Sequence, residues 1–115
     1  MTITIYHNPR CSKSRQTLAL LEERGVAPQI VLYMQDTPTV SELKALLAKL
    51  GLTAQQLLRR KEAKALELGL TATDVSEDAV LAAMARHPEL IERPIVVRGN
   101  KARLGRPPET VLDIL

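Results

Sequence analysis

Apolar and polar residues alternate at the start of the chain and then change to a helical period. The segment "TITIY" (Thr2–Tyr6) alternates apolar and β-branched residues with polar ones, which predicts a short strand. An Asn-Pro pair ends it, and apolar residues then recur at helical spacing from Ser12 until Gly25, a natural helix terminator. The apolar run "PQIVLYM" (Pro28–Met34) predicts a second strand at the centre of a sheet. The order strand, helix, strand predicts a βαβ unit with parallel strands.

The middle of the chain shows helical periodicity throughout. Ser41 is placed to cap a helix that Gly51 ends, and Thr53 begins a second one that carries the basic run "RRK". A third helix closes at Gly69, and Ser76 opens a fourth. Residues from about 41 to 87 are therefore predicted to form a helical insert after the second strand.

The last part of the chain returns to strand patterns. Two short β runs flank Gly99-Asn100 in "PIVVRGNKARLG", which predicts a hairpin. In "RPPETVLDIL" two prolines stand at a helix start, and Val111, Leu112 and Leu115 are predicted to face inward.

The order of these elements predicts the fold class. The sequence β-α-β, helices, β-β-α is typical of an α/β fold, a thioredoxin-like four-stranded mixed sheet with a helical insertion. A chain of 115 residues fits one domain, so residues 1–115 are predicted to form a single domain.

The composition limits the classes of binding partner that are expected. The net charge is +3 with both signs scattered, which favours an anion at one site over a nucleic-acid surface. No apolar run reaches the roughly 20 residues of a membrane span, and the N-terminus lacks the basic region of a signal peptide. A single cysteine excludes an internal disulfide and a cysteine-rich metal site. We therefore expect a cytoplasmic protein with no metal and with no membrane or nucleic-acid partner.

That cysteine stands in an unusual setting. In "YHNPRCSKSR", Cys11 lies where the first strand gives way to the first helix. Unpaired N–H groups at a helix start stabilise a thiolate and lower the pKa of the thiol. Arg10, Lys13 and Arg15 are expected to act in the same direction, and nearby serine hydroxyls can donate to the sulfur or to an anion. The segment predicts a thiolate that meets an anionic substrate.

Each candidate site residue also has an alternative, purely structural explanation. A lone cysteine is often a small buried apolar residue, and His7 could be a hydrogen-bonded spacer. Arg59, Arg93 and Arg106 could be solvated surface residues, or three guanidinium groups that clamp an oxyanion around the thiolate. Sequence spacing does not show whether they converge.

Four motifs together resemble a known family. The segments "ITIYHNPRCSKSR", "QQLLRRKE", "ERPIVV" and "GRPPETVLDIL" resemble the ArsC family of glutaredoxin-dependent arsenate reductases, and within it the compact YfgD-like branch. The resemblance runs from Thr2 to Leu115 and implies a thioredoxin-like fold with a helical insertion. It also implies a cis peptide bond between Arg93 and Pro94.

The resemblance assigns roles to six residues. Cys11 matches the nucleophile that forms a thiol ester with arsenate, and the residues that match its tuning groups are His7 and Ser14. The oxyanion is held in the family by three arginines, which match Arg59, Arg93 and Arg106. Arg60, one residue along the same predicted helix, points about 100° away from Arg59 and serves as a control.

The resemblance also implies a reaction. Glutathione, a co-substrate, attacks the arsenic–thiol adduct, arsenite leaves, and glutaredoxin removes the glutathione, with no tightly bound cofactor. Two alternatives are an Spx-like thioredoxin-fold transcriptional regulator and a thiol oxidoreductase acting on glutathione mixed disulfides. The regulators usually carry a CxxC pair, whereas this chain has Cys11 and Ser14 at those positions.

Overall fold

The strands and helices follow the predicted order along the chain. The computed structural model describes residues 2–115. Its strands are β1 (Ile3–Tyr6), β2 (Gln29–Val31), β3 (Ile95–Arg98) and β4 (Lys101–Leu104). Its α-helices are α1 (Ser12–Glu23), α2 (Val40–Leu50), α3 (Ala54–Leu57), α4 (Ala63–Glu67) and α5 (Glu77–Arg86), and Pro88–Leu90 and Pro108–Ile114 form 3₁₀ helices.

The described residues form two compact units. The first consists of the described residues up to Asp36 together with Arg93–Leu115, and the second is Thr37–Glu92. The first contains the sheet, and the second contains the predicted helical insert of about 41–87. The single-domain organisation over 1–115 stays a prediction.

The sheet has the predicted four strands and mixed direction. Within the described residues its order is β2-β1-β3-β4. β1 runs parallel to β2 and antiparallel to β3, and β3 pairs antiparallel with β4. The hairpin turn places Gly99 at φ 61°, a left-handed conformation that glycine adopts without steric cost. The predicted α/β, thioredoxin-like fold class is confirmed.

The predicted position of the second strand was wrong. β2 lies at the edge of the sheet, because β3 occupies the other side of β1. Ile30, in the middle of β2, is 47% exposed. An apolar run alone does not distinguish a central strand from a short edge strand.

One face of the sheet is covered by α1 and the C-terminal 3₁₀ helix. Their apolar side chains pack with those of β1 and β3 in a core of Ile5, Leu21, Val96, Val111 and Ile114. This arrangement corrects the predicted inner face of the last element, because Ile114 is buried and Leu115 is exposed. A 3₁₀ helix repeats every three residues, so Pro108, Val111 and Ile114 share one side.

Helix caps explain most boundaries in the second unit. Thr53 accepts a hydrogen bond from the N–H of Gln56, and Ser76 accepts one from Ala79, as predicted for both positions. The cap of α2 is Thr39 rather than the predicted Ser41. Its side chain forms a reciprocal capping box with the residue three positions later.

Candidate functional site

The loop before α1 is a tight turn that fixes the position of Cys11. The N–H of Cys11 donates to the carbonyl of Asn8 at 3.0 Å, and the N–H of Arg10 donates to the Asn8 Oδ1 at 3.0 Å. Cys11 is the extended N-cap residue, and its carbonyl accepts the first helical hydrogen bond, from Arg15. The role of Asn8 was not predicted from the sequence, although asparagine is typical of turns that its side chain stabilises.

Opposing effects set the acidity of the Cys11 thiol. Burial raises the pKa, but the backbone N–H of Ser14, the charge of Arg93, the N–H of Lys13 and a hydrogen bond from the Arg93 side chain lower it. The net result is a pKa below the ordinary value of a thiol. Cys11 is 9% exposed, so burial alone does not separate a reactive thiol from an inert one. The lowered pKa favours the reactive interpretation.

The charge beside the thiol comes from a distant part of the chain. From the sequence, Arg10, Lys13 and Arg15 were expected to supply this charge. The charged side chain that lowers the pKa of the Cys11 thiol is instead Arg93. The Arg15 guanidinium instead donates to the carbonyl of Pro9 at 2.8 Å and stabilises the loop before α1. The difference depends on tertiary structure, because Arg93 lies just before β3 and the pairing of β3 with β1 brings it near the start of α1.

His7 and Ser14 are buried partners beside the loop. The Nδ1 atom of His7 lies 2.6 Å from the Oγ of Ser14, and that Oγ also accepts from the N–H of Asn8 at 3.0 Å. Burial, and then the positive charge of Arg15, lower the pKa of His7, so the imidazole is neutral at pH 7. The pair ties the end of β1 to the first turn of α1, on either side of Cys11.

Two of the three predicted arginines lie in the same unit as Cys11. The Nε and Nη1 atoms of Arg93 are buried and have no hydrogen-bond partner among residues 2–115. The exposed Arg106 donates from Nη1 to the carbonyl of Arg93 at 3.4 Å. Arg93 therefore presents donors beside a thiolate, and Arg106 contacts its backbone. The Arg93–Pro94 bond is cis, as predicted, and Arg106–Pro107, for which no cis bond was predicted, is also cis.

The third predicted arginine, Arg59, lies in the second unit. Its N–H donates to the carbonyl of Leu90 at 2.8 Å. Its guanidinium pairs with Glu62 at 3.1 Å and with Glu92 at 3.7 Å. Two carboxylates thus hold this side chain in place, and its convergence with Cys11 stays a prediction.

Arg59 and its control residue do not lie on a helix as predicted. α3 ends at Leu57, and Leu58 has an extended backbone, so the angular argument for Arg60 was wrong. Arg60 still differs from Arg59, because its Nη2 donates to the carbonyl of Thr71 at 2.8 Å. The helix ends early because the segment after it pairs with Ile91 through an isolated β-bridge at Leu58.

Neither a metal site nor a membrane-spanning helix was found in the part of the chain that the structure describes. No group of three or more His, Cys, Asp or Glu side chains among residues 2–115 could hold a metal ion. No helix in the same residues is long and apolar enough to cross a membrane.

Comparison with known proteins places this geometry in a family. The model of the ArsC family matches residues 6–114, which include all six candidate residues. The chain belongs to the ArsC family. This confirms the resemblance that the four sequence motifs indicated.

Members of the ArsC family match along nearly the whole chain. An arsenate reductase of Haemophilus influenzae is 50% identical over 116 residues, covering 100% of both chains. The YfgD protein of Escherichia coli is 52% identical over 114 residues, covering 98% of this chain and 96% of its own. The structure of an arsenate reductase from Vibrio cholerae is 56% identical, with a TM-score of 0.97, and the match covers 100% of this chain and 98% of that one.

Proposed function

We propose that this protein is an arsenate reductase that works through the Cys11 thiolate. The observation that carries the proposal is the acidic thiol at the start of α1 beside Arg93, whose buried Nε and Nη1 atoms have no hydrogen-bond partner among residues 2–115. Such a site suits a nucleophile that meets a tetrahedral anion. Family members of nearly equal length bear the name arsenate reductase, which supports arsenate as the anion.

In the first step the thiolate attacks the arsenic atom. A sulfur–arsenic bond forms and one arsenate oxygen leaves as water after protonation, so arsenic stays in the +5 state. Arg93 stabilises the charge on the remaining oxygens because its fork can donate two charge-assisted hydrogen bonds. Arg106 and Arg59 are proposed as further ligands of these oxygens. His7 and Ser14 keep the loop in the geometry that holds the thiol.

In the second step an external thiol supplies the electrons. The chain contains one cysteine, so a second thiol for reduction must come from another molecule. We propose glutathione, which attacks the Cys11 sulfur and forms a mixed disulfide. The electron pair of the sulfur–arsenic bond stays on arsenic, which leaves as arsenite in the +3 state. A glutaredoxin thiolate then takes the glutathionyl group and frees Cys11.

This reaction needs no tightly bound cofactor, and it suits a compartment that holds thiols in the reduced state. Glutathione and glutaredoxin keep the cytosol reducing. We therefore propose a cytoplasmic location, with arsenate, glutathione and glutaredoxin as partners.

A coupled assay tests the proposal. Arsenate, glutathione, glutaredoxin, glutathione reductase and NADPH are mixed with the protein, and NADPH oxidation is followed. Arsenate-dependent oxidation that disappears in Cys11→Ser supports the proposal, and equal rates with arsenate and with no oxyanion contradict it. Omitting glutaredoxin, or replacing it by thioredoxin, identifies the reductant. A parallel run with a glutathione mixed disulfide in place of arsenate tests the thiol oxidoreductase alternative.

A further inference from the structure

The end of β4 packs against α1 without room for a side chain. A Cβ atom at Gly105 would collide with the hydroxyl of Thr17 and approach Cγ of Pro94 to 2.8 Å. Gly105 does not have a positive φ, so space rather than backbone conformation is what requires glycine here. Its N–H donates to the carbonyl of Pro94 at 2.9 Å, which fastens the two segments together.

This contact joins the parts of the chain that build the thiol site. Pro94 directly follows Arg93, whose carbonyl accepts from the guanidinium of Arg106, the residue after Gly105. On the other side, the buried Thr17 hydroxyl donates to the carbonyl of Lys13 at 2.8 Å, in the first turn of α1. The Gly105 carbonyl oxygen lies 3.5 Å from the same hydroxyl. A displacement at Gly105 would therefore move Arg93 relative to the start of α1.

We propose that Gly105 is a positioning residue whose close packing on Thr17 and Pro94 holds the Arg93 guanidinium at the Cys11 sulfur. Interiors are packed to near crystal density, so a single added methyl group must be accommodated by movement of its neighbours. The added methyl group meets the Pro94 ring as well as Thr17, and Pro94 directly follows Arg93, so a shift that relieves the collision on that side moves the segment that carries Arg93. The inference rests on the proposed function only in taking Cys11 as the reactive thiol.

The test measures the thiol directly and uses no arsenate. The rate of Cys11 alkylation by iodoacetamide at pH 7 reports the thiolate that Arg93 stabilises. Gly105→Ala is expected to slow alkylation by up to about tenfold, which corresponds to a rise of one in the pKa of the thiol and a matching loss of thiolate at pH 7. Thr17→Ala, which leaves a gap at the same contact, is expected to slow it less.

The double variant Gly105→Ala with Thr17→Ala is the matched control for loss of packing. It moves one methyl group across the contact and removes the two Thr17 atoms that an alanine at position 105 would meet. The approach to the Pro94 ring at 2.8 Å remains, so we expect the double variant to recover part of the lost alkylation rate. The free energy of unfolding of each variant, measured by urea denaturation, distinguishes a slower thiol from a loss of folding.

A second combination tests whether Gly105 acts through Arg93. Arg93→Ala should slow alkylation by itself, and adding Gly105→Ala to it should cause no further loss. Additive losses in this pair would show that Gly105 acts by another route and would overturn the proposal.

The remaining outcomes are equally decisive. A parent-like rate in Gly105→Ala overturns the proposal, and so does a double variant that is no faster than Gly105→Ala. If Gly105→Ala does not fold, the combination with Arg93→Ala is made in the double variant instead: non-additive losses support the proposal, and additive losses overturn it. Absence of arsenate turnover would count against the proposed function and leave this result unaffected.

Discussion

The imidazole of His7 and the hydroxyl of Ser14 form one buried contact of 2.6 Å across the loop that carries Cys11. His7 follows β1 and Ser14 lies in the first turn of α1, so the contact closes the loop at its base. The same hydroxyl accepts from the N–H of Asn8, and a single oxygen therefore serves two partners. The position of the thiol depends on this oxygen.

Replacing Ser14 by alanine should destabilise the fold. The change leaves the buried His7 ring nitrogen and the partly buried Asn8 N–H without this partner, and an unsatisfied buried group costs about 1–3 kcal/mol. Urea denaturation should show a lower free energy of unfolding by that amount. Ser12→Ala, at an exposed position in the same turn, is the control and should be near neutral. Equal stability of the two variants would contradict this account.

The reactivity of Cys11 should depend on pH as expected for an acidic thiol. Because its pKa is lowered, the thiolate persists at pH values where an ordinary thiol is protonated. The alkylation rate should rise with pH and level off below about 8.5, the value of a free thiol. Because the pKa of Cys11 is lower in the folded state, its thiolate adds to the free energy of unfolding above the pKa of the unfolded thiol. This contribution is lost as the pH falls through the lowered pKa. An inflection at or above about 8.5 would refute the claim.

Arg93→Lys should weaken oxyanion use although the charge is kept. Lysine lacks the planar fork, so at least one charge-assisted hydrogen bond is lost, worth on the order of 1.5–3 kcal/mol. Arsenate kcat/KM should fall roughly ten- to hundredfold, and sulfate binding to the resting protein should weaken in parallel. Arg103→Lys, on β4 near Asp113, is the matched control and should retain activity. Retention of parent activity in Arg93→Lys would exclude a bidentate role.

Arg59→Ala should reduce arsenate turnover while Arg60→Ala should not. This prediction rests on the family role of Arg59, since its guanidinium is paired with Glu62 and Glu92 in the second unit. The alanine variant removes the guanidinium from both carboxylates, so unfolding must be measured beside activity. Arg60 is exposed and bonds a backbone carbonyl, which makes it the control. Equal turnover of two folded variants would remove Arg59 from the list of oxyanion ligands.

Local signals predicted most of the elements but not every boundary. Thr53 and Ser76 were recognised as caps because a cap needs only its own side chain and the next three N–H groups. The N-cap of α2 was predicted at Ser41. The cap is instead Thr39, two residues earlier, because Thr39 forms a capping box with Glu42. The last element was predicted as an α-helix. Val111 is buried as predicted, but Leu115 was placed inward instead of Ile114 because a 3₁₀ helix has a period of three.

The sequence by itself determined the order of elements, the hairpin and the place of Cys11 at a helix start. Each of these depends on residues a few positions apart, whose conformational preferences can be read from the amino-acid sequence. Only the tertiary structure decided that β2 is an edge strand, that Arg93 rather than Arg15 lowers the pKa of the thiol, and that Gly105 leaves room for Thr17. These relationships join residues far apart in sequence, and strand pairing and packing decide which of them meet.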